Sequence, residues 1–541
     1  MRKDVRSLRL QDAIIAIETE GISVREASRR FSIPKSTLQR KYKSKSRISV
    51  IDLERPTNTN KTIIIPSPEL APDHAGCENA ILVDHSIRNR AEEQLDSCEL
   101  EHGNTGSHTA QSQEKLLHSD HQHSGSALDQ LSNEMISQGS TIYKLGLGQS
   151  PFSVPQCIVD ELRANAHQRD YLPVAGLPSL CRDVANWASH NLNLHYTAEN
   201  IVIGPGTKEL LYVLQMVYYG DLLLPNPSCT SFAPQASIAG RNMLWLPTHA
   251  SDRWVLRPEV LEKHCAPDPD APRILILNSP SNPTGCVYTE NELLEIAKVA
   301  KKYRILVISD EIYSELHLGA NDVHTSISKF YPEGTVVSGG LSKWCGAGGW
   351  RIGFWIFPSG LQWLRQSMLT MASETYTSVA SPIQYAARRA FIIDCVELNA
   401  YKERCRRILQ LVCRWCCYQL EKVSVTLQVP QGGFYLFPSF ATHRKALKNR
   451  CIYTDRDFCE RLLQSTGVAV LPGSCFGRDP TELYVRIAFV DFKGDLALYL
   501  IDSMPEVLEW DDIDGFIQSV CPNLDVAIRK LSKWLLYKPE S

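Results

Sequence analysis

"GTVVSGGLSKWCGAGGWRIGFWIF", residues 334–357, decides the fold. A short β-branched run closes on glycines, a glycine-rich turn carries Lys343, and Arg351 stands at the mouth of a second apolar run. Short apolar runs bounded by glycine turns read as strands. A lysine held on such a turn and followed by an arginine suits a carbonyl or phosphate cofactor, because the amine is a nucleophile toward carbonyls and the guanidinium fork matches a phosphate.

Three further runs upstream repeat the strand-and-turn grammar. "ENIVIGPGTKELLYVLQM" predicts a strand, a glycine turn and a helix start, where the amides of Gly206, Thr207 and Lys208 can cradle a phosphate at the positive helix end. "RILILNSPSNPTG" predicts a second strand ending at Asn282, and "YRILVISDEIYSEL" a third ending at Asp310, with Tyr313 one helical turn further on. From residue 140 onward such runs alternate with helical patterns, as a parallel sheet with crossover helices requires. The fold class is therefore α/β, and the rim at the carboxyl ends of its strands is the expected ligand site.

In order along the chain stand "YLPVAGLPSL", "GPGTKE", "NPTG", "SDEIY", "LSKWCGAGGWRIG", "QGGFYLF" and "YVRIAF". This series, over about residues 143–510, resembles the fold-type I, class I/II pyridoxal-phosphate aminotransferases, of which aspartate aminotransferase is the best-known member. The resemblance implies a large domain with a mostly parallel sheet over about 190–385 and a small α/β domain from about 140–189 and 386–541. It also implies pyridoxal 5′-phosphate as cofactor, and an α-amino acid and a 2-oxo acid as substrates.

Carried over by resemblance, Lys343 would hold the cofactor covalently and then move the proton between substrate and cofactor. Asp310 would keep the pyridine nitrogen protonated, making the ring an electron sink. Asn282 and Tyr313 would hydrogen-bond the cofactor's 3-oxygen, and Arg351 the phosphate. Tyr171 would reach the phosphate of a neighbouring subunit, implying a homodimer. Arg486 would clamp the substrate α-carboxylate near Gly148. Two departures stand out. "NPSCTSF" puts Cys229 where an aromatic usually stacks on the ring, leaving Phe232 as the nearest replacement, and Gly340 stands where a phosphate-binding serine is common, with Ser338 and Ser342 close by.

The first 50 residues carry 13 Lys plus Arg against 5 Asp plus Glu, a net +8, so the other 491 carry −11 to give the total of −3. That basic segment predicts three short helices: one with Leu8, Leu10, Ala13, Ile14 and Ile17 at helical spacing, one opened by a Ser23/Glu26 capping box, and one opened by Pro34. With "EASRRF" and "IPKSTLQR" it resembles the pipsqueak-type helix-turn-helix. By that resemblance Lys35, Ser36, Thr37, Gln39 and Arg40 lie nearest DNA bases, and Lys41, Lys43 and Lys45 near phosphates. Residues 51–137 turn polar and low in complexity, predicting a disordered linker; seven of the 15 histidines fall there, irregularly spaced, as in a solvated tail.

No apolar stretch approaches the roughly 20 residues of a membrane helix, and "MRKDVRSLRL" lacks a secretory core. The 17 cysteines, an odd number without a small-scaffold framework, fit free thiols in the cytoplasm or nucleus. "CRWCC" (Cys413, Cys416, Cys417) has no answering pair and lies in a helical pattern, so no metal site is expected. Three functions fit the whole: a transaminase, a transcription regulator with an aminotransferase-like sensing domain, or another pyridoxal-phosphate reaction such as elimination or decarboxylation.

Overall fold

The computed structural model describes residues 123–319, 324–505 and 508–537, the first four by backbone alone. The basic N-terminal segment, including Lys35, Ser36, Thr37, Gln39 and Arg40, and the linker up to residue 122 lie outside the described residues. Helix α1, His123–Ser137, corrects the expected end of that linker. Leu128, Leu131 and Met135 fall on one half-buried stripe, a helical period that the neighbouring histidine tract obscures in the sequence.

Seven strands form the main sheet: β1 Ile201–Gly204, β2 Asp221–Asn226, β3 Met243–Pro247, β4 Arg273–Asn278, β5 Leu306–Asp310, β6 Thr335–Gly340 and β7 Gly353–Ile356. Their order is β1-β7-β6-β5-β4-β2-β3. Four pairings are parallel, and β7 runs antiparallel to both its neighbours. The sheet is mixed because the chain returns through the glycine-rich turn, too short for a crossover helix, so β7 pairs antiparallel with β6. Ile274, Leu275, Ile276 and Leu277 of β4 are all buried, as a strand covered on both faces requires.

β4 ends at Asn278, four residues before the expected end. Pro280 and Pro283 have no amide to donate, so the ladder cannot continue and 279–285 becomes a turn. Four helices matter for the site and its surroundings: α2 Thr207–Val217, α3 Phe232–Ile238, α4 Glu290–Lys302 and α5 Val396–Glu421. Helix α4 shows how local rules build the layer over the sheet. The Thr289 hydroxyl accepts from the Glu292 amide at 3.3 Å while the Glu292 carboxylate accepts from the Thr289 amide at 2.9 Å, closing a capping box. Leu293, Ile296, Ala297 and Ala300 form its buried stripe. Truncating Leu293 to Ala would cost roughly 2–5 kcal/mol, against about 1 kcal/mol for losing the Thr289 cap.

Helix α5 carries Cys413, Cys416 and Cys417, all buried among apolar side chains. Burial pushes the Cys416 thiol well above its usual range, which suits packing rather than reactivity. A second, antiparallel sheet joins β8 Tyr435–Leu436, β9 Leu471–Pro472 and β10 Val485–Ala488 in the order β9-β10-β8. Among the described residues no helix is long and apolar enough to cross a membrane.

Candidate active site

A cavity of about 1140 Å³ opens where the carboxyl ends of the main sheet meet the antiparallel sheet. Its walls include Gly148, Thr207, Lys208, Asn282, Asp310 and Tyr313, together with Lys343, Arg351 and Arg486. Residues up to 338 apart in sequence are thus brought to one place.

Asp310, the last residue of β5, is the most telling. Its Oδ1 is buried with no hydrogen-bond partner among the described residues, while Oδ2 accepts from Asn278 Nδ2 at 3.3 Å. Burial pushes the carboxyl up to about 7. An orphaned carboxylate oxygen in a cavity is costly unless a ligand donor or cation meets it. Lys343 lies on the turn after β6, and its Nζ donates to the Gly148 carbonyl at 2.7 Å. Burial, helped by the positive charge of Arg486, lowers its ammonium to about 8. A lysine so shifted is neutral in about one molecule in ten near pH 7, far more than an ordinary lysine, as a nucleophile or proton carrier needs.

Arg486, on β10, is 5% exposed and has no carboxylate partner among the described residues. Its Nη1 donates to Asn282 Oδ1 at 2.9 Å and its Nη2 to the Gly146 carbonyl at 2.7 Å, while Nε is buried and unpartnered. A buried guanidinium without a counter-charge is a ready receptor for a carboxylate. The Tyr313 hydroxyl lies 2.9 Å from that of Tyr435, and burial pushes the Tyr313 phenol far up, so it stays a neutral donor.

The start of α2 packs against Arg351. Gly206 caps α2 at φ +99°, a conformation that L side chains rarely adopt, and a Cβ there would press on the Arg351 guanidinium. Arg351 is itself left-handed at φ 53°, with Nη1 and Nη2 donating to the carbonyls of Gly348 and Pro205 at 3.0 and 3.1 Å. Backbone amides at a helix start and a guanidinium are both groups able to hold an anion. Ser338 and Ser342 line the cavity; Gly340 does not, since a Cβ there would press on the Ile352 carbonyl at 3.1 Å between β6 and β7. Cys229 and Phe232 both line it, and Asn282 Nδ2 lies 3.5 Å from the Cys229 sulfur. Tyr171 does not: it is 94% exposed.

Two site residues escape sequence reasoning. Asn278 accepts from the Asn282 amide at 2.7 Å and donates to the Asp310 carbonyl at 2.9 Å, tying β4 to β5 at the rim; an asparagine ending an apolar strand is its only signal. Tyr435 lies inside "QGGFYLF", and nothing local in that string distinguishes it from the core aromatics beside it.

Comparison with known proteins agrees with this architecture. Residues 140–494 match the family aminotransferase class I and II, and residues 9–47 the helix-turn-helix Psq domain. The aspartate aminotransferase of Bacillus sp. strain YM-2 is 31% identical over 375 residues, covering 67% of this chain and 91% of its own. Aromatic-amino-acid aminotransferase 2 of Thermococcus litoralis is 29% identical, covering 68% and 92%. Among solved structures, the aromatic aminotransferase of Pyrococcus horikoshii superposes with a TM-score of 0.61 at 26% identity, covering 75% of this chain and 98% of its own.

The chain belongs to the class I and II aminotransferase family, preceded by a Psq-type helix-turn-helix motif. It is an enzyme of the pyridoxal-phosphate-dependent transamination class, and that kinship implies the cofactor.

Proposed function

We propose that the cavity binds pyridoxal 5′-phosphate and exchanges the amino group of an α-amino acid for the oxygen of a 2-oxo acid. The observation that carries this reading is the orphaned, buried Asp310 Oδ1 in one cavity with a deprotonation-prone Lys343. When bound, the cofactor supplies an electron sink for the substrate Cα. The chain does the rest. Asp310 holds a positive pyridine nitrogen, and that charge compensates the carboxylate's burial. Asn282 and Tyr313 donate to the 3-oxygen; Gly206, Thr207, Lys208 and Arg351 hold the phosphate. Arg486, with Asn282 and Gly148 beside it, orients the substrate carboxylate so that the Cα proton faces Lys343 Nζ, which removes and returns it.

Adding amino acids one at a time should convert the bound cofactor's absorbance to the pyridoxamine form, and adding 2-oxo acids should restore it. Binding without conversion would favour a sensing domain; release of ammonia or carbon dioxide would favour another reaction of the cofactor. The relatives named above act on aspartate or aromatic amino acids, and both classes head the list to test. The exposed Tyr171 supports a homodimer in which it completes the neighbour's phosphate site.

The Psq-type match over residues 9–47 supports a second role, duplex DNA binding through Lys35, Ser36, Thr37, Gln39 and Arg40. Full-length protein should shift duplex DNA at about 50 mM salt and release it steeply as salt rises. Changing Arg40 and Lys41 together to Ala should weaken binding further. No shift at low salt would leave the enzyme alone.

A further inference from the structure

Tyr435 touches both Tyr313 and Arg486. It is 1% exposed, and its hydroxyl meets that of Tyr313 at 2.9 Å. The Arg486 guanidinium stands 4.4 Å from its ring centre. A Cβ built on Gly148 would meet the Tyr435 hydroxyl at 2.0 Å, so this hydroxyl lies directly against the loop whose carbonyl accepts from Lys343. The strand register explains the contact with Arg486. Tyr435 pairs with Ala488 and Leu436 with Ile487, which leaves Arg486 two residues along on the Tyr435 face. Diagonal neighbours across an antiparallel pair are within reach of long side chains.

Resting on the function proposed above, we propose that Tyr435 is a positioning residue that couples the cofactor end of the site to the carboxylate end. Its hydroxyl donates to Tyr313, so that the Tyr313 proton points outward to the cofactor's 3-oxygen. Its ring carries the Arg486 guanidinium that receives the substrate. The direction of the phenol–phenol bond follows from the chemistry: Tyr313 has one proton and can spend it on the cofactor only if Tyr435 is the donor within the pair. Each bond in such a chain polarises the next, which strengthens the outward donation. Cys229, Lys343 and Arg486 are the titratable and charged groups facing the two phenols, and burial keeps both phenols neutral at physiological pH.

The test uses full-length protein loaded with pyridoxal phosphate, reading the pH midpoint of its visible absorbance band. Tyr435→Phe keeps the ring and removes the hydroxyl. It should raise the midpoint by about 0.1–0.3 unit, the polarisation one hydrogen bond lends the next, with little change in KM. Tyr435→Leu should raise the midpoint equally and also raise KM for the amino acid roughly 2- to 30-fold, through loss of the cation–π contact. In a Tyr313→Phe background, Tyr435→Phe should add no further shift. If Tyr313→Phe moves the midpoint and Tyr435→Phe does not, Tyr435 merely packs and the inference is overturned. A wild type with no titrating band overturns the cofactor reading itself, and this inference with it.

Discussion

The main sheet and the antiparallel sheet supply the site in different ways. The main sheet presents chemistry at strand ends: Asp310 closes β5, Lys343 and Arg351 lie on the turn between β6 and β7, and Asn282 follows β4. The antiparallel sheet presents it by cross-strand pairing, with Tyr435, at the start of β8, and Arg486, inside β10, on one face. Side chains at strand ends are aimed by turns, which are local. Side chains within strands are aimed by register, and a one-residue slip would turn both away from the cavity. The comparison teaches that the half of the site proposed to hold the cofactor is aimed by short-range sequence, and the half proposed to hold the substrate by long-range pairing.

Substitutions in the two halves should therefore fail differently. Lys343→Ala should lose on the order of 10²-fold or more in turnover, since anchor and proton carrier go together. Single-turnover kinetics reads this, and retained turnover would remove Lys343 from its role.

Asp310→Asn sharpens the contrast through stability. The carboxyl is raised from 3.8 to about 7 in the folded chain. Its burial therefore costs nothing below about pH 3.8, where folded and unfolded forms are both protonated, and costs fully above about pH 7. In the cofactor-free protein, the substitution should stabilise by on the order of 4 kcal/mol above pH 7 and by progressively less toward pH 4. Urea denaturation at pH 8 and pH 5 measures the difference; an equal effect at both would break the account.

For the antiparallel sheet, Arg486→Lys keeps the charge and loses the fork. KM for the amino acid should rise about 10- to 100-fold while cofactor affinity holds, because charge-assisted hydrogen bonds are worth about 1.5–3 kcal/mol each. A matching loss of cofactor affinity would mean that the halves are not separable at Arg486. The smallest effect concerns the cofactor's face: Cys229→Trp should tighten cofactor binding by roughly 0.5–1.5 kcal/mol if no aromatic stacks there now. Weaker binding by equilibrium dialysis would assign that face to Phe232, which lines the same cavity.

By itself the sequence determined the α/β class and marked Asp310, Lys343, Asn282 and Arg351 at strand ends and turns, because strand ends and glycine turns leave a local imprint of composition and spacing; the cofactor roles proposed for them came from the resemblance. The glycine turn at Gly206 was legible for the same reason, and its φ of +99° follows from a tight turn into α2. Tertiary structure alone decided that β4 stops at Asn278, that α1 forms ahead of the sheet, and that Tyr435 lies between Tyr313 and Arg486. It also decided that Cys413, Cys416 and Cys417 fill a core while Cys229 faces the cavity. The physical reason is range. A turn or a cap is closed by residues a few positions apart, whereas the surroundings of a buried tyrosine or thiol are set by strands and helices hundreds of residues away, which no local pattern records.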